Sequence, residues 1–174
     1  MPSKRLLSFA MAFYVFLYRR SRGAIGGRVR GMPVLLLVTT GRKTGTQRTV
    51  PVMYFRDGNN YVVTASNGGR DQPPAWWLNL QRNPVATIEV GDSRQAVVAE
   101  PVGPEAKRRL WAQLAERAPF FEGYQQRTSR EIPMVMLRPV NAEEAMRTGR
   151  VPVGRVGESI QNLSPSSLRD DTSR

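Results

Sequence analysis

VLLLVTTGRKTGTQRTVPVMYF, residues 34–55, is the stretch of the chain on which the fold prediction depends. An apolar run at 34–40 leads into Gly-Arg-Lys-Thr-Gly at 41–45, and a second strand-like pattern follows at 48–56. Two strand patterns separated by a glycine-containing turn predict a β-hairpin. Its turn carries three positive charges, Arg42, Lys43 and Arg48.

The chemistry of this turn suits an anion. Gly41 and Gly45 allow backbone angles that other residues avoid, and the cations bring N–H donors to one small loop. A phosphate is the predicted ligand, and an exposed turn that only aids solubility is the alternative. It is not a Walker A loop, because Leu36 stands where that motif requires its first glycine.

The composition narrows the possible chemistry. A chain of 174 residues is long enough for one domain with a proper core. It contains no cysteine and no histidine, which excludes disulfides, thiolate nucleophiles and histidine-based triads, and we predict no metal site. If the protein is an enzyme, a bound cofactor must supply the difficult chemistry.

The net charge of +12 is unevenly distributed. Residues 1–56 contain eleven Lys or Arg and no acid, whereas residues 57–174 contain fifteen basic and fourteen acidic side chains. The first third of the chain is therefore predicted to face an anion, which could be a lipid surface, a nucleic acid or a phosphorylated cofactor.

The first basic group flanks an apolar run at residues 6–18, with cations before it and Arg19, Arg20 and Arg22 after it. As a helix this run rises only about 20 Å, which is short of the roughly 30 Å hydrocarbon core of a bilayer. Arg-Arg-Ser-Arg follows where a signal peptide would have small residues. Aromatic residues with cations at both ends favour a helix in the membrane interface at residues 4–22, and a helix packed on the domain is the alternative.

Three segments follow from this pattern. Residues 1–32 are predicted to be a basic amphipathic helix and a glycine-rich linker, residues 33–140 the cofactor-binding domain, and residues 141–174 a polar tail. Within the domain we predict strands at 34–40, 48–56, 61–65, 85–90, 94–102 and 132–140, and helices at 75–81, from 104 and within 120–130.

A polar loop at 66–74 precedes the helix that contains Trp76 and Trp77. Adjacent helical residues point about 100° apart, so both rings cannot enter one core in the same way. Either one ring lines a cleft, or both pack in the core with one partly exposed. Six antiparallel strands with flanking helices indicate an α+β fold, a closed or split β-barrel, with one cleft for a flat anionic ligand.

Five motifs in one order resemble the deazaflavin-dependent nitroreductase family. They are GRKTG at 41–45, the Arg48 and Pro51 of RTVP, ASNGG at 65–69, PAWWLNL at 74–80 and YQQRTSREIP at 124–133. Members of that family are FMN-binding split-barrel-like proteins that use the reduced deazaflavin coenzyme F420. The resemblance covers residues 31–139 and implies an F420H2-dependent oxidoreductase.

The resemblance also implies roles for individual residues. The coenzyme phosphate and its acidic glutamyl tail would be held by Arg42, Lys43, Thr44 and Arg48. The deazaflavin ring would be bordered by Pro51, Thr64, Ala65, Ser66, Asn67, Trp76, Trp77 and Asn79. Ser66 and Tyr124 are the predicted catalytic donors to the acceptor. Hydride leaves the reduced ring directly, so a protein without histidine need only orient the reactants and donate hydrogen bonds.

Two departures from the family pattern concern the acceptor. Members that reduce bicyclic nitroimidazoles have a lysine where this chain has Asn67, and three tyrosines where it has Ala118, Phe121 and Tyr124. The pocket is therefore predicted to be more apolar, which suits a menaquinone-like quinone better than those drugs. Family members are linked with menaquinone reduction at the membrane, so we expect a peripheral location on the cytoplasmic side of the membrane, or otherwise in the cytoplasm.

Two other functions stay open at this point. An FMN-binding split-barrel reductase would use the same barrel with a phosphate-only cofactor. A non-enzymatic basic module that binds anionic lipid or nucleic acid would account for the charge, although the chain has no recognisable nucleic-acid motif. The natural acceptor and the oligomeric state are not specified by the sequence.

Overall fold

The computed structural model describes residues 4–141, which contain seven strands and four α-helices. In chain order these are α1 (Lys4–Arg20), β1 (Arg28–Val29), β2 (Met32–Thr40), β3 (Gln47–Asp57), β4 (Asn60–Thr64), α2 (Ala75–Arg82), β5 (Val85–Val90), β6 (Ser93–Pro101), α3 (Pro104–Arg117), α4 (Phe120–Gln126) and β7 (Met134–Pro139). A short 3₁₀ turn, Asn67–Gly69, lies between β4 and α2.

Six of the strands form a closed antiparallel barrel, which confirms the predicted fold class. The strand order is β2-β3-β4-β7-β6-β5, and pairing of β2 with β5 completes the ring. Because every barrel strand has two neighbours, the barrel exposes no unpaired long edge. β1 adds only a short hairpin at the start of β2.

Residues 34–38 of strand β2 form an uninterrupted apolar run because both faces of the strand are covered there. Leu35 and Leu37 point into the barrel core, whereas Leu36, between them, packs outward against Val15 and Tyr18 of α1. All three leucines are fully buried. Alternate strand residues face opposite sides of a sheet, so a strand covered on both sides reads as a continuous apolar run.

Helices α3 and α4 cover a second part of the barrel surface. Leu110 and Leu114 of α3 and Phe121 of α4 pack with Phe55 and Val62 in a cluster outside the barrel core. Arg109 of α3 also donates two hydrogen bonds of 2.9 Å to the carboxylate of Asp57, and this pairing lowers the pKa of Asp57.

Helix α1 is attached to the barrel through its last turns. The buried Tyr18 hydroxyl donates to the carbonyl oxygens of Val34 and Glu89, at 3.0 and 3.3 Å, and accepts the Gly91 N–H at 3.2 Å. Arg19 adds a bidentate ion pair to the buried Glu89 carboxylate, at 2.8 and 2.9 Å. These contacts connect α1 to both β2 and β5.

The opposite side of α1 is apolar and exposed. Phe9, Phe13 and Phe16 are 72%, 54% and 60% exposed, and they follow the spacing of one helical stripe. The helix therefore packs on the domain through one face and presents aromatic rings on another. None of the helices in the described range is long and apolar enough to cross a membrane.

The prediction of a glycine-rich linker before the domain was wrong at the C-terminal end of that linker. Residues 28–29 form β1 and Met32 begins β2, although the glycine-rich linker was predicted to extend to residue 32. A two-residue strand is too short to produce a hydrophobic period, which explains why the pattern was missed. The predicted tail lies outside the described residues from position 142 onward.

We expect Tyr18→Phe to lower the free energy of unfolding by about 1–3 kcal/mol, because it leaves buried backbone groups without a partner. Burial raises the pKa of Tyr18 above its ordinary value of 10.0, so the folded state retains the proton where the unfolded chain loses it. That stabilisation is complete below the unfolded value and is lost as the pH rises through the folded value. Tyr18→Phe should therefore also flatten the loss of stability above about pH 10 in urea titrations.

Phe16→Leu is the matched control, since Phe16 lies on the same helix with an exposed ring. Equal stability of Tyr18→Phe and the unaltered protein at neutral pH would contradict the proposed anchoring of α1.

Candidate functional site

One cleft runs along the outside of the barrel between the β2–β3 turn and helix α4. It consists of two adjoining cavities, of about 350 and 740 Å³, which share Val50, Ala75 and Trp76 as a common wall. The smaller cavity is bordered by the cationic turn, and the larger one by the Ser66–Gly68 backbone and an apolar surface.

The cationic turn is closed by its own backbone. The Gly41 N–H donates to the Thr46 carbonyl at 2.8 Å, and the Gly45 N–H donates to the Gly41 carbonyl at 2.8 Å. A Cβ atom at position 41 would lie 3.0 Å from Thr44 Oγ1 and 3.1 Å from the Thr46 carbonyl oxygen, so the turn is closely packed there. Gly45 has φ +68°, which favours glycine.

The side chain of Asn79 on α2 fixes the start of this turn through hydrogen bonds. Its buried side-chain amide donates to Thr39 Oγ1 at 3.1 Å, and its carbonyl oxygen accepts the Arg42 backbone N–H at 3.1 Å. The Arg42 guanidinium also lies 3.4 Å from that oxygen. The amide of Asn79 is therefore used to hold the turn.

The charged side chains of the turn extend from this closed backbone toward solvent. Arg42, Lys43 and Arg48 are exposed, and all three border the smaller cavity. The ion pairs found within residues 9–141 do not include them. Three cations around one concave surface form a binding site for an anion.

The loop on the other side of the shared wall has an unusual backbone. Asn67, Gly68 and Gly69 have φ values of +48°, +67° and +79° in succession. Asn67 is held in this conformation by a hydrogen bond of 2.8 Å from its side chain to the Gln72 carbonyl. Successive residues with positive φ can direct backbone polar groups toward a ligand, and Ser66, Asn67 and Gly68 all border the larger cavity.

The side chain of Arg130 stabilises this loop through three hydrogen bonds. Its guanidinium donates to the carbonyl oxygens of Ala65, Ser66 and Arg70, at 3.0, 2.8 and 2.9 Å. At Gly69 a Cβ atom would lie 2.6 Å from the Tyr124 carbonyl oxygen, so α4 packs directly on the loop. The loop is thus fixed by the segment that follows α4.

The far end of the larger cavity is aromatic and apolar. Met11 of α1, Met53 of β3 and Phe121 and Tyr124 of α4 contribute to its lining. The rings of Phe121 and Tyr124 meet edge to face at 5.4 Å. This end of the cleft can accommodate an apolar molecule next to the polar loop.

Most of the predicted site residues meet in this cleft. The smaller cavity is bordered by Arg42, Lys43, Thr44, Arg48, Trp76 and Asn79, and the larger one by Pro51, Thr64, Ser66, Asn67, Trp76 and Tyr124. Ala65 and Trp77 are buried and border neither cavity. Ala118, predicted at the acceptor end, is also buried away from the cleft.

Sequence reasoning missed two residues that matter to the geometry. Arg130 was quoted only as part of a motif, because nothing in the sequence indicates that it reaches carbonyls about 60 positions earlier. Met11 was treated only as part of the apolar run at 6–18, although it lines the cleft. Of the two tryptophans, Trp76 lines the cleft and Trp77 does not, but both rings are largely buried.

A closed antiparallel barrel whose lateral cleft joins a basic turn to an apolar pocket defines a coenzyme-binding protein of the split-barrel class. A family model described as F420H(2)-dependent quinone reductase matches residues 11–139. The chain belongs to the F420H(2)-dependent quinone reductase family.

Individual relatives agree with this assignment. An F420H(2)-dependent quinone reductase of Mycobacterium tuberculosis is 46% identical over 125 residues, which cover 70% of this chain and 84% of that protein. The solved structure of an F420-H2 dependent reductase, FDR-A, has a TM-score of 0.56 and 32% identity, and covers 61% of this chain and 94% of its own. A solved structure described as a domain-swapped dimer has a TM-score of 0.59 and 27% identity, over 76% of this chain and 98% of its own.

Family membership confirms the predicted oxidoreductase class and reduced F420 as the cofactor. It also confirms the resemblance to deazaflavin-dependent proteins on which the site predictions depend.

We expect Arg130→Lys to loosen the Ser66–Gly69 loop while the barrel stays folded, because an ammonium group cannot make the same three directed hydrogen bonds. Amide hydrogen exchange should rise in residues 66–70 and stay unchanged in β2 and β5.

Arg117→Lys on α3 serves as the control, since Arg117 is exposed and far from the loop in the chain. Unchanged exchange at residues 66–70 in Arg130→Lys would show that the loop does not depend on the guanidinium.

Proposed function

We propose that this protein transfers a hydride from reduced F420 to a hydrophobic quinone of the menaquinone type. The observation that supports this proposal most strongly is the arrangement of the cleft. Val50, Ala75 and Trp76 form a shared wall that joins a cationic cavity to an apolar one. A coenzyme with an acidic tail and a flat ring needs a cationic site for the tail next to an apolar site for the ring. The acceptor must also reach the ring edge, so it needs space in the same apolar site.

The cationic cavity fits the anionic end of this coenzyme. The proposed ligands of its phosphate and glutamyl tail are Arg42, Lys43, Thr44 and Arg48. The three cations are exposed, and Thr44 Oγ1 lies 2.7 Å from Thr46 Oγ1 at the mouth of the turn. Asn79 contributes indirectly, because its amide is occupied in fixing the turn.

The residues around the shared wall are proposed to hold the ring. Pro51 and Trp76 offer apolar surface, and Thr64, Ser66 and Asn67 offer hydrogen-bonding groups at the same cavity. Ala65 and Trp77 are proposed to support these residues, since both are buried next to them in the chain. The Ala65 N–H already donates to the Pro133 carbonyl at 2.9 Å.

The coenzyme, when bound, supplies the hydride. What the protein adds is orientation, exclusion of water and donors for the charge that develops on the acceptor. Ser66 and Tyr124 are the proposed donors, because both residues border the larger cavity and both carry a hydroxyl group. Neither role requires histidine or cysteine, which this chain lacks.

The apolar end of the cleft favours a quinone as the acceptor. Met11, Met53 and Phe121 provide apolar lining, and Tyr124 is the tyrosine among the residues that line this cavity. Nitro compounds are the second class of acceptor that we propose. Asn67 stands where family members that reduce bicyclic nitroimidazoles have a lysine, so this chain has one cation fewer near such an acceptor. We therefore expect reduction of quinones to exceed reduction of bicyclic nitroimidazoles.

We expect Lys43→Ala combined with Arg48→Ala to raise the dissociation constant of F420 roughly 100-fold, because two charge-assisted contacts of about 1.5 kcal/mol each are lost. The measurement is a fluorescence titration with oxidised F420, together with a thermal unfolding curve.

Arg94→Ala combined with Arg108→Ala is the matched control, because it removes the same charge from two exposed residues outside the cleft. Equal affinity of both double variants would contradict the proposed role of the turn.

We also propose a peripheral location at the cytoplasmic side of the membrane, mediated by α1. The exposed stripe of Phe9, Phe13 and Phe16 offers apolar surface, and Arg20 and Arg22 offer charge for anionic headgroups. Met11 of the same helix lines the acceptor end of the cleft. A helix in the interface would therefore bring the apolar cavity close to a quinone dissolved in the lipid.

We expect Phe9→Ser, Phe13→Ser and Phe16→Ser together to reduce partitioning into anionic liposomes at least roughly tenfold, because three exposed rings lose their transfer free energy. Activity with a short water-soluble quinone should stay unchanged, and activity with a long-tailed quinone in vesicles should fall.

Ile25→Ser is the control, since Ile25 is 55% exposed but lies beyond α1. Deletion of the whole helix is a poorer test, because it would also leave the buried Glu89 without Arg19. Full retention of liposome binding by the triple variant would contradict this role of α1.

A further inference from the structure

The β1–β2 hairpin has an arginine where its turn conformation favours other residues. Val29 pairs with Met32, so Arg30 and Gly31 form a two-residue turn, and their φ values are +50° and +83°. A turn with positive φ at both central residues favours Asn-Gly or Gly-Gly. An arginine in this conformation costs free energy, and such costs are concentrated at functional sites.

The side chain of Arg30 extends from this turn to the acceptor end of the cleft. Its guanidinium stacks on the Phe120 ring, 4.1 Å from the centroid, and its Nη1 lies 3.4 Å from the Tyr124 hydroxyl oxygen, to which it donates. Tyr124 borders the larger cavity. The Arg30 guanidinium therefore contacts a residue of the cleft through the Tyr124 hydroxyl group.

The Tyr124 ring is fixed from several sides. It meets the rings of Phe120 and Phe121 edge to face, at 5.7 and 5.4 Å, and the Arg127 guanidinium lies 5.6 Å from its centroid. With the ring held, a cation next to the hydroxyl changes the charge balance at that oxygen rather than the position of the ring.

We infer that Arg30 is a positioning residue for quinone reduction, acting through the Tyr124 hydroxyl; this inference depends on the function proposed above. Hydride transfer gives the quinone two electrons and one hydrogen nucleus, so that one of its oxygens becomes an anion. The O–H bond of Tyr124 then breaks as its proton passes to that oxygen, and the phenolate regains a proton from solvent. Arg30 stabilises the negative charge at both stages.

The decisive variant is Arg30→Asn, because asparagine suits the turn and removes the cation. We expect the midpoint of thermal unfolding to stay equal or rise, and kcat for quinone reduction to fall about three- to tenfold, less than the roughly 100-fold loss of a direct donor. KM for F420H2 should not change. Arg30→Lys should recover part of kcat because it restores the charge.

Arg108→Asn is the control for the loss of charge. Arg108 is also an exposed arginine, but it lies on α3 and borders neither cavity of the cleft. This variant removes the same charge, so it should leave kcat unchanged.

A double-mutant cycle tests whether Arg30 acts through Tyr124. In the Tyr124→Phe background, Arg30→Asn should have no further effect on kcat, because the hydroxyl group that it serves is absent. Additive losses, or full activity of Arg30→Asn, would overturn the inference and leave the proposed function intact. Absence of quinone reduction by the unaltered protein would instead overturn the proposed function, and this inference with it.

Discussion

The side chain of Asn79 makes the contact on which the site depends most. It joins α2 to the end of β2 and to the first residue of the cationic turn, through Thr39 and Arg42. The turn also closes on its own backbone between Gly41 and Thr46, so its conformation is fixed without its charged side chains, which stay available to a ligand. A turn whose backbone is already fixed and whose cations are exposed binds an anion at a lower entropic cost than a turn that must first become ordered.

The distribution of charge explains why the turn keeps those cations. Acids occur only after position 56, and the ion pairs within residues 9–141 use them to attach elements, as in Arg19 to Glu89 and Arg109 to Asp57. Arg42, Lys43 and Arg48 take no part in these pairs. The same basic first third of the chain supplies α1, whose aromatic stripe is exposed, and the Arg30 hairpin next to the acceptor end of the cleft.

The sequence predicted the local parts of this structure well and the long-range contacts poorly. Alternating apolar residues and strong turns such as Asp57-Gly58-Asn59 are local signals. They predicted the ends of every barrel strand to within about two residues of the ends in the structure. The contacts from Arg130 to the carbonyls of Ala65 and Ser66 cross some 64 positions and leave no local pattern. For α1 the sequence offered either an interfacial or a packed helix. The structure shows that one face packs through Tyr18 while another stays exposed, so a single choice was too simple.

The most direct measurement compares F420 with the phosphate-free ribityl deazaflavin, which has the same ring but neither phosphate nor glutamyl tail. If the turn at 41–48 binds the anionic end, F420 should bind at least roughly 100-fold more tightly than the phosphate-free compound, and raising the salt concentration should reduce this ratio. Equal affinities for the two compounds would contradict the account, because the ring alone would then supply the binding energy.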